Sequence, residues 1–161
     1  MSDLTCFLID DDPDDREIFT LALEDADKSY KCVTAQNGID AIQKLSTDHT
    51  FVPDLIFLDL NMPIMSGKQC LNEIRKIPRL DLIPIIIYTT SSYAQDIEET
   101  RKLGASHFLI KPSSIRILTN CLTELLKKES PPFLIQGSIC VLAILLFIFS
   151  NYFIRVLLYH L

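Results

Sequence analysis

Short apolar runs alternate along the chain with stretches of helical spacing. Leu4–Ile9 predicts a strand that ends in three acids, Asp10, Asp11 and Asp12. Residues 14–26 have helical periodicity, with Ile18, Leu21 and Ala22 on one face and acids in the first turn. Tyr30–Ala35 predicts a second strand, and Asn37 is placed to cap a helix over 38–45. Residues 53–58 predict a third strand, apolar without interruption from Leu55 to Leu58 as strands buried on both faces are. A helix is expected from about Ser66 to Ile77, a fourth strand over 83–88, and a helix over 94–103 closed by Gly104. A fifth strand over 107–110 and a fifth helix over 114–128 complete the series.

Five strand–helix units in succession imply an α/β fold, with a parallel sheet covered by helices on both faces. Right-handed crossovers make such a sheet doubly wound, and function gathers at the carboxyl ends of its strands. The 161 residues suit one domain, expected over 1–129, and an extension over 130–161. All 21 Asp and Glu precede Ser130, and only Arg155 among the 15 Lys and Arg follows Lys128. The net charge of −6 argues against non-specific nucleic-acid binding. The five cysteines are scattered, with no paired spacing and no Cys/His cluster, so a zinc site is not expected. Cys6, Cys32 and Cys121 lie in apolar runs and read as small core residues. The N-terminus lacks a basic segment and soon turns acidic, unlike a signal peptide, so the front domain is expected in a reducing cytoplasm.

The strand ends carry the informative chemistry. The first ends in Asp10, Asp11 and Asp12, the third in Asp59, the fourth in Thr89-Thr90, and the fifth in Lys111-Pro112. Converging carboxylates repel unless a cation joins them, and an all-oxygen pocket suits Mg²⁺. A carboxylate can act as a nucleophile and form an aspartyl-phosphate. A metal ion and Lys111 would neutralise charge on a transferring phosphoryl group, and the Thr89 hydroxyl could bond one of its oxygens.

The segments FLIDDDPDDREIF, PDLIFLDLNMPIMSGKQCL, IPIIIYTTSS and GASHFLIKP, in this order, resemble the receiver domains of two-component response regulators. The resemblance covers about residues 3–128. It implies a flavodoxin-like fold with a five-stranded parallel sheet. It also implies a phosphorylation switch that assists its own Mg²⁺-dependent phosphorylation and dephosphorylation, not an enzyme acting on a separate substrate. Position by position, it implies Asp59 as phosphoacceptor, and Asp10 and Asp11 as the acidic pair that organises Mg²⁺. The main-chain carbonyl of Asn61 becomes a further metal ligand. Thr89 is the switch hydroxyl, Lys111 the phosphate-binding lysine and Phe108 the aromatic switch residue. Asp10–Asp11 is preferred to Asp11–Asp12 because Arg16 then stands at the family's usual distance. Lys111 is expected to pair with Asp59 at rest, and the Lys111–Pro112 bond to be cis. Phosphorylation would draw Thr89 inward, release Phe108 to another rotamer and remodel the face of the fourth helix, fifth strand and fifth helix for an output partner. The donor would be a histidine kinase or a histidine phosphotransfer protein.

Several neighbours read more plainly. Asp12, Asp14 and Asp15 are acids at a helix N-terminus, favoured by its dipole. Gly67 supplies a flexible turn. Ser91 and Asn61 occupy positions that tune phosphoryl lifetime in the family, and His49 and His107 read as surface or strand-edge residues. Haloacid-dehalogenase-like phosphatases also form an aspartyl-phosphate but need a second acid two residues on, where this chain has Asn61.

The resemblance stops at the tail. Pro131-Pro132 breaks the fifth helix, and no charge occurs from Phe133 to Ile154. That length could span a bilayer as a hydrophobic helix, with Tyr152 and Tyr159 at the interface. It predicts a cytoplasmic receiver anchored to the inner membrane; the rivals are a helix buried in a partner or second copy, and a non-native extension. The alternative function is an anchored scaffold that binds partners without phosphorylation.

Overall fold

The computed structural model describes residues 4–127 and 132–135. In chain order the elements are β1 (Leu4–Ile9), α1 (Pro13–Ala26), β2 (Tyr30–Ala35), α2 (Gly38–Thr47), β3 (Leu55–Leu58), α3 (Gly67–Arg75), a 3₁₀ turn (Pro78–Leu80), β4 (Ile85–Thr89), α4 (Ala94–Lys102), β5 (His107–Ile110), α5 (Ile115–Leu126) and β6 (Leu134–Ile135). All strand pairs are parallel, in the order β2-β1-β3-β4-β5-β6. The chain steps from β1 to β2 on one side, then crosses back to place β3 on the other. The reversal opens a crevice at the carboxyl ends of β1 and β3.

The inner strands β3 and β4 read as nearly unbroken apolar runs because both their faces are buried. Alternate side chains point to opposite sides. Phe7, Ile9, Ile56, Leu58, Ile85, Ile87 and Phe108 enter one core, with Ala41 and Leu45 of α2 and Cys70, Leu71 and Ile74 of α3. Cys6, Leu8, Phe57, Ile86, Tyr88 and Leu109 enter the other, with Phe19, Ala22 and Leu23 of α1 and Leu118, Cys121 and Leu122 of α5. The buried stripe of α1 is therefore Phe19, Ala22 and Leu23, while Ile18 and Leu21 are exposed, contrary to the stripe expected from spacing. Both stripes fit helical periodicity. The aromatic faces of Phe57 and Tyr88, at 4.7 and 5.2 Å between ring centroids, select Phe19.

Local chemistry sets the element ends. Asp12 Oδ1 accepts from the Asp14 amide at 2.9 Å and caps α1, with Pro13 as its first residue. Asn37 Oδ1 accepts from the Asp40 amide at 2.8 Å and caps α2. Ser66 and Gln69 form a capping box at α3. This helix ends at Arg75, short of the expected Ile77, because a residue before proline (here Pro78) is disfavoured in helix. Strand β4 starts at Ile85 because Pro84 cannot donate to the ladder. Gly104, at φ 91°, turns the chain after α4.

Two expectations about the end of the chain change. The sheet has six strands, not five: after α5, Phe133–Ile135 returns along β5, with Phe108 N–H donating to Phe133 O at 2.6 Å and Leu134 in register with Phe108. The cause is the edge of β5, whose open backbone groups a strand satisfies. Phe133 also lies under the Arg101 guanidinium, 4.3 Å from the ring centroid. The hydrophobic helix expected over 133–154 thus does not begin at Phe133, and residues 136–154 lie outside the described residues. Among the described residues, no helix is long and apolar enough to cross a membrane.

Candidate functional site

Strands β1, β3, β4 and β5 end side by side and bring Asp10, Asp59, Thr89 and Lys111 to one rim. Asp10 is fully buried. Its Oδ1 accepts from the Asp12 amide at 3.0 Å, and its Oδ2 from Lys111 Nζ at 2.7 Å. Arg16 Nη1 donates to the Asp10 main-chain carbonyl at 2.8 Å, which ties the first turn of α1 to the end of β1. Asp59 is 6% exposed, and its Oδ1 accepts from the Leu60 amide at 2.7 Å. Carboxylate oxygens of Asp10, Asp11 and Asp59 lie within 4.8 Å of one another. These three acids meet as the strand-end reading anticipated, and an all-oxygen donor set of this charge fits a hard divalent cation.

Lys111 pairs with Asp59 as expected, but two other acids stand closer to it. Its Nζ is 2.7 Å from both Asp10 and Asp15 and 3.7 Å from Asp59, so the two shorter pairs are not with the strand-end acid of β3. The cause is an acid on α1: Asp15 is the third helical residue, and side chains in a first turn lean back toward the helix start and the rim. Sequence reading counted Asp15 only as a dipole-favoured acid. The available signal was its place three residues after the Asp12 cap. Burial lowers the Lys111 pKa, but hydrogen bonds to Asp10 and Asp15 and the charge of Asp59 outweigh it and leave it raised. Burial raises the Asp10 pKa, and the Asp59 charge adds to this against the opposing pull of Lys111. The Lys111–Pro112 bond is trans, not cis, the ordinary preference even of an X-Pro amide.

Thr89 is fully buried at the end of β4. Its Oγ1 accepts from the Ser91 amide at 3.3 Å and is 3.5 Å from Asn61 Nδ2, while its carbonyl accepts from the Lys111 amide at 2.8 Å. Phe108 is fully buried two residues before the end of β5. Gly67 is not a flexible turn. It begins α3 against the backbone after β3, where an added Cβ would stand 2.1 Å from Asp59 O and 2.6 Å from Leu60 Cα. Its amide donates to Leu60 O at 3.0 Å.

A further set of residues escaped the sequence reading. Ser91 Oγ donates to Asp96 at the start of α4, and Lys68 of α3 pairs with Asp96 at 2.7 Å and with Glu99. The loop after Thr89 is thereby joined to α4 and α3. No local pattern announces a contact between residues 28 positions apart.

Residues 6–123 match the response regulator receiver domain family. The chain belongs to that family. A relative from Vibrio cholerae, a probable cyclic di-GMP phosphodiesterase, is 32% identical over 137 residues, which cover 84% of this chain and 30% of that protein. Among solved structures, the phosphorylated cyanobacterial phytochrome response regulator RcpA has a TM-score of 0.71 at 27% identity, covering 80% of this chain and 98% of that one. The Vibrio cholerae chemotaxis protein CheY4 has a TM-score of 0.65 at 27% identity, covering 75% and 97%. The receiver thus spans under a third of the phosphodiesterase it matches and nearly the whole of both solved receivers. Its fold is the flavodoxin-like α/β fold of these neighbours, with β6 added at the β5 edge.

Proposed function

We propose that this receiver accepts a phosphoryl group on Asp59 from a histidine kinase or a histidine phosphotransfer protein, and switches partner binding in response. The observation that carries the reading is a nearly buried carboxylate at the switch point of the sheet, beside two further acids and one lysine. An Asp59 oxygen attacks the phosphorus, the P–N bond to the donor imidazole breaks, and the imidazole leaves. The Leu60 amide holds Oδ1 in place, so the carboxylate meets the donor in one orientation. Lys111 stands 3.7 Å from Asp59 Oδ2, positioned to turn its charge onto the incoming phosphoryl oxygens. Asp10, Asp11, Asp59 and the Asn61 carbonyl would hold Mg²⁺, which supplies neutralisation of the charge on the transferring group.

Thr89 would then leave its bond with the Ser91 amide for a phosphoryl oxygen. Because Ser91 is tied to Asp96, that movement reaches α4 directly. Phe108 would follow, and the face of α4, β5 and α5 would change. Any output partner on this face also meets Phe133–Ile135, which lie along β5. Membrane anchoring through residues 136–154 rests on sequence alone: these residues carry no charge and are long enough to span. Retention of the full chain in membranes through alkaline carbonate supports it, and release overturns it.

Acetyl phosphate and Mg²⁺ test the acceptor reading. The full chain should gain one phosphoryl group by intact mass, mapped to the peptide containing Asp59; a chain that gains none overturns it. The metal pair is separable from the helix cap. Asp11→Ala should weaken Mg²⁺ binding by roughly tenfold or more, since it removes a charged ligand while the helix cap stays. Asp12→Ala should leave Mg²⁺ affinity nearly unchanged but destabilise the fold by about 1 kcal/mol, because Asp12 caps α1. Metal titration and thermal melting of both variants check this; equal losses of metal affinity count against the Asp10–Asp11 pair.

A further inference from the structure

The Asp15–Lys111 pair has no part in the transfer just described. Asp15 Oδ2 lies 2.7 Å from Nζ, equal to the distance from Asp10 and 1.0 Å shorter than that from Asp59. The lysine side chain is 8% exposed and that of Asp15 is 34% exposed, so the pair is partly shielded from water. An ammonium has three N–H donors, and Asp10 and Asp15 engage two of them. Asp59 and the Tyr88 ring also lie near Nζ, which is 5.1 Å from the ring centroid. Asp14, in the same helical turn, carries the same charge, yet the ion pairs of Lys111 run to Asp10, Asp15 and Asp59.

We infer that Asp15 is a positioning residue that draws Lys111 toward α1, leaving only the longer 3.7 Å ion pair with Asp59 in the unphosphorylated state, and competes with the phosphoryl group for it. The inference rests on Asp59 being the acceptor. Its consequence is twofold. With Lys111 drawn toward α1, the lone pairs of Asp59 Oδ2 stay open for attack. Once the phosphoryl group is in place, its oxygens draw Lys111 away, so the Asp15 contact belongs to the resting state alone. A contact made in only one of two states biases the equilibrium toward that state. Removing Asp15 therefore favours the phosphorylated form.

Beryllofluoride with Mg²⁺, titrated into the full chain and followed by NMR, tests this. Asp15→Ala should bind beryllofluoride about threefold more tightly than the wild type, the scale of a partly exposed ion pair. Asp15→Glu should restore wild-type affinity. Asp14→Ala removes an equal charge without touching Lys111, so it should change affinity by no more than roughly 1.5-fold through screened field alone. The Tyr88 ring resonances of ligand-free Asp15→Ala should move toward their positions in the beryllofluoride-bound wild type, because the ring reports where Nζ stands; those of Asp14→Ala should not. A wild type that fails to bind beryllofluoride overturns the acceptor reading and this one with it. A wild type that binds, beside an Asp15→Ala variant that binds no more tightly or an Asp14→Ala variant that behaves the same, overturns the role of Asp15 alone.

Discussion

Asp59→Asn yields a folded chain that gains no phosphoryl group from acetyl phosphate in the presence of Mg²⁺. An amide oxygen is too weak a nucleophile to form the acyl phosphate, so the loss is complete and not graded. The substitution is close to isosteric, and the carboxamide oxygen can still accept from the Leu60 amide, which now serves Oδ1 at 2.7 Å. Folding should therefore persist. The electrostatic change runs in a defined direction. Asp59 is one of the causes that raise the Asp10 pKa, so its neutralisation should let the Asp10 pKa fall. The cluster of Asp10, Asp11 and Asp59 also loses a charged ligand, so Mg²⁺ should stabilise the variant less than the wild type. Intact-mass spectrometry and thermal melts with and without Mg²⁺ check both parts. A folded Asp59→Asn chain that still takes up a phosphoryl group places the acceptor elsewhere.

Gly67→Ala is the second large effect, and it acts through space, not through backbone freedom. Gly67 φ is not in the left-handed region; Gly104 alone among the described glycines is. The new methyl would stand 2.1 Å from Asp59 O and 2.8 Å from Asp59 C, both main-chain atoms with no rotamer to yield. The clash is relieved only by moving α3 away from the end of β3. Such overpacking costs about 3 kcal/mol, which lowers Tm by roughly 10 °C in a domain of this size. The same displacement shifts the Asp59 main chain, so phosphorylation by acetyl phosphate should slow even at temperatures where the variant is folded. Calorimetry and a phosphorylation time course measure the two effects. Wild-type stability would show that α3 yields at no cost.

Most of the sheet and the candidate site were legible before any coordinates. The inner strands announce themselves because burial on both faces removes most polar residues from them, and the acids, threonine and lysine announce themselves because they interrupt that pattern at strand ends. The order of five strand–helix units then brings Asp10, Asp59, Thr89 and Lys111 to one rim by topology alone. What stayed hidden was partnership. Asp15 and Asp14 are alike in sequence, and only the direction of α1 over the rim makes Asp15 the one that meets Lys111, 96 residues away. Helical spacing permits an Ile18–Leu21 stripe as readily as the Phe19–Leu23 one, and the rings of Phe57 and Tyr88 decide.

By itself, then, the sequence determined the α/β class, the succession of five strand–helix units and the residues at the carboxyl ends of the strands, because hydropathy period and chain order are local or nearly local properties. The tertiary structure decided which charges share Lys111, why position 67 is glycine, and where Phe133–Ile135 go. An apolar triplet is equally content in lipid or on a sheet edge. It becomes a strand here because β5 offers unpaired backbone groups and Arg101 offers its cation to the Phe133 ring. Neither is visible in the triplet, since both belong to residues more than twenty positions earlier in the chain.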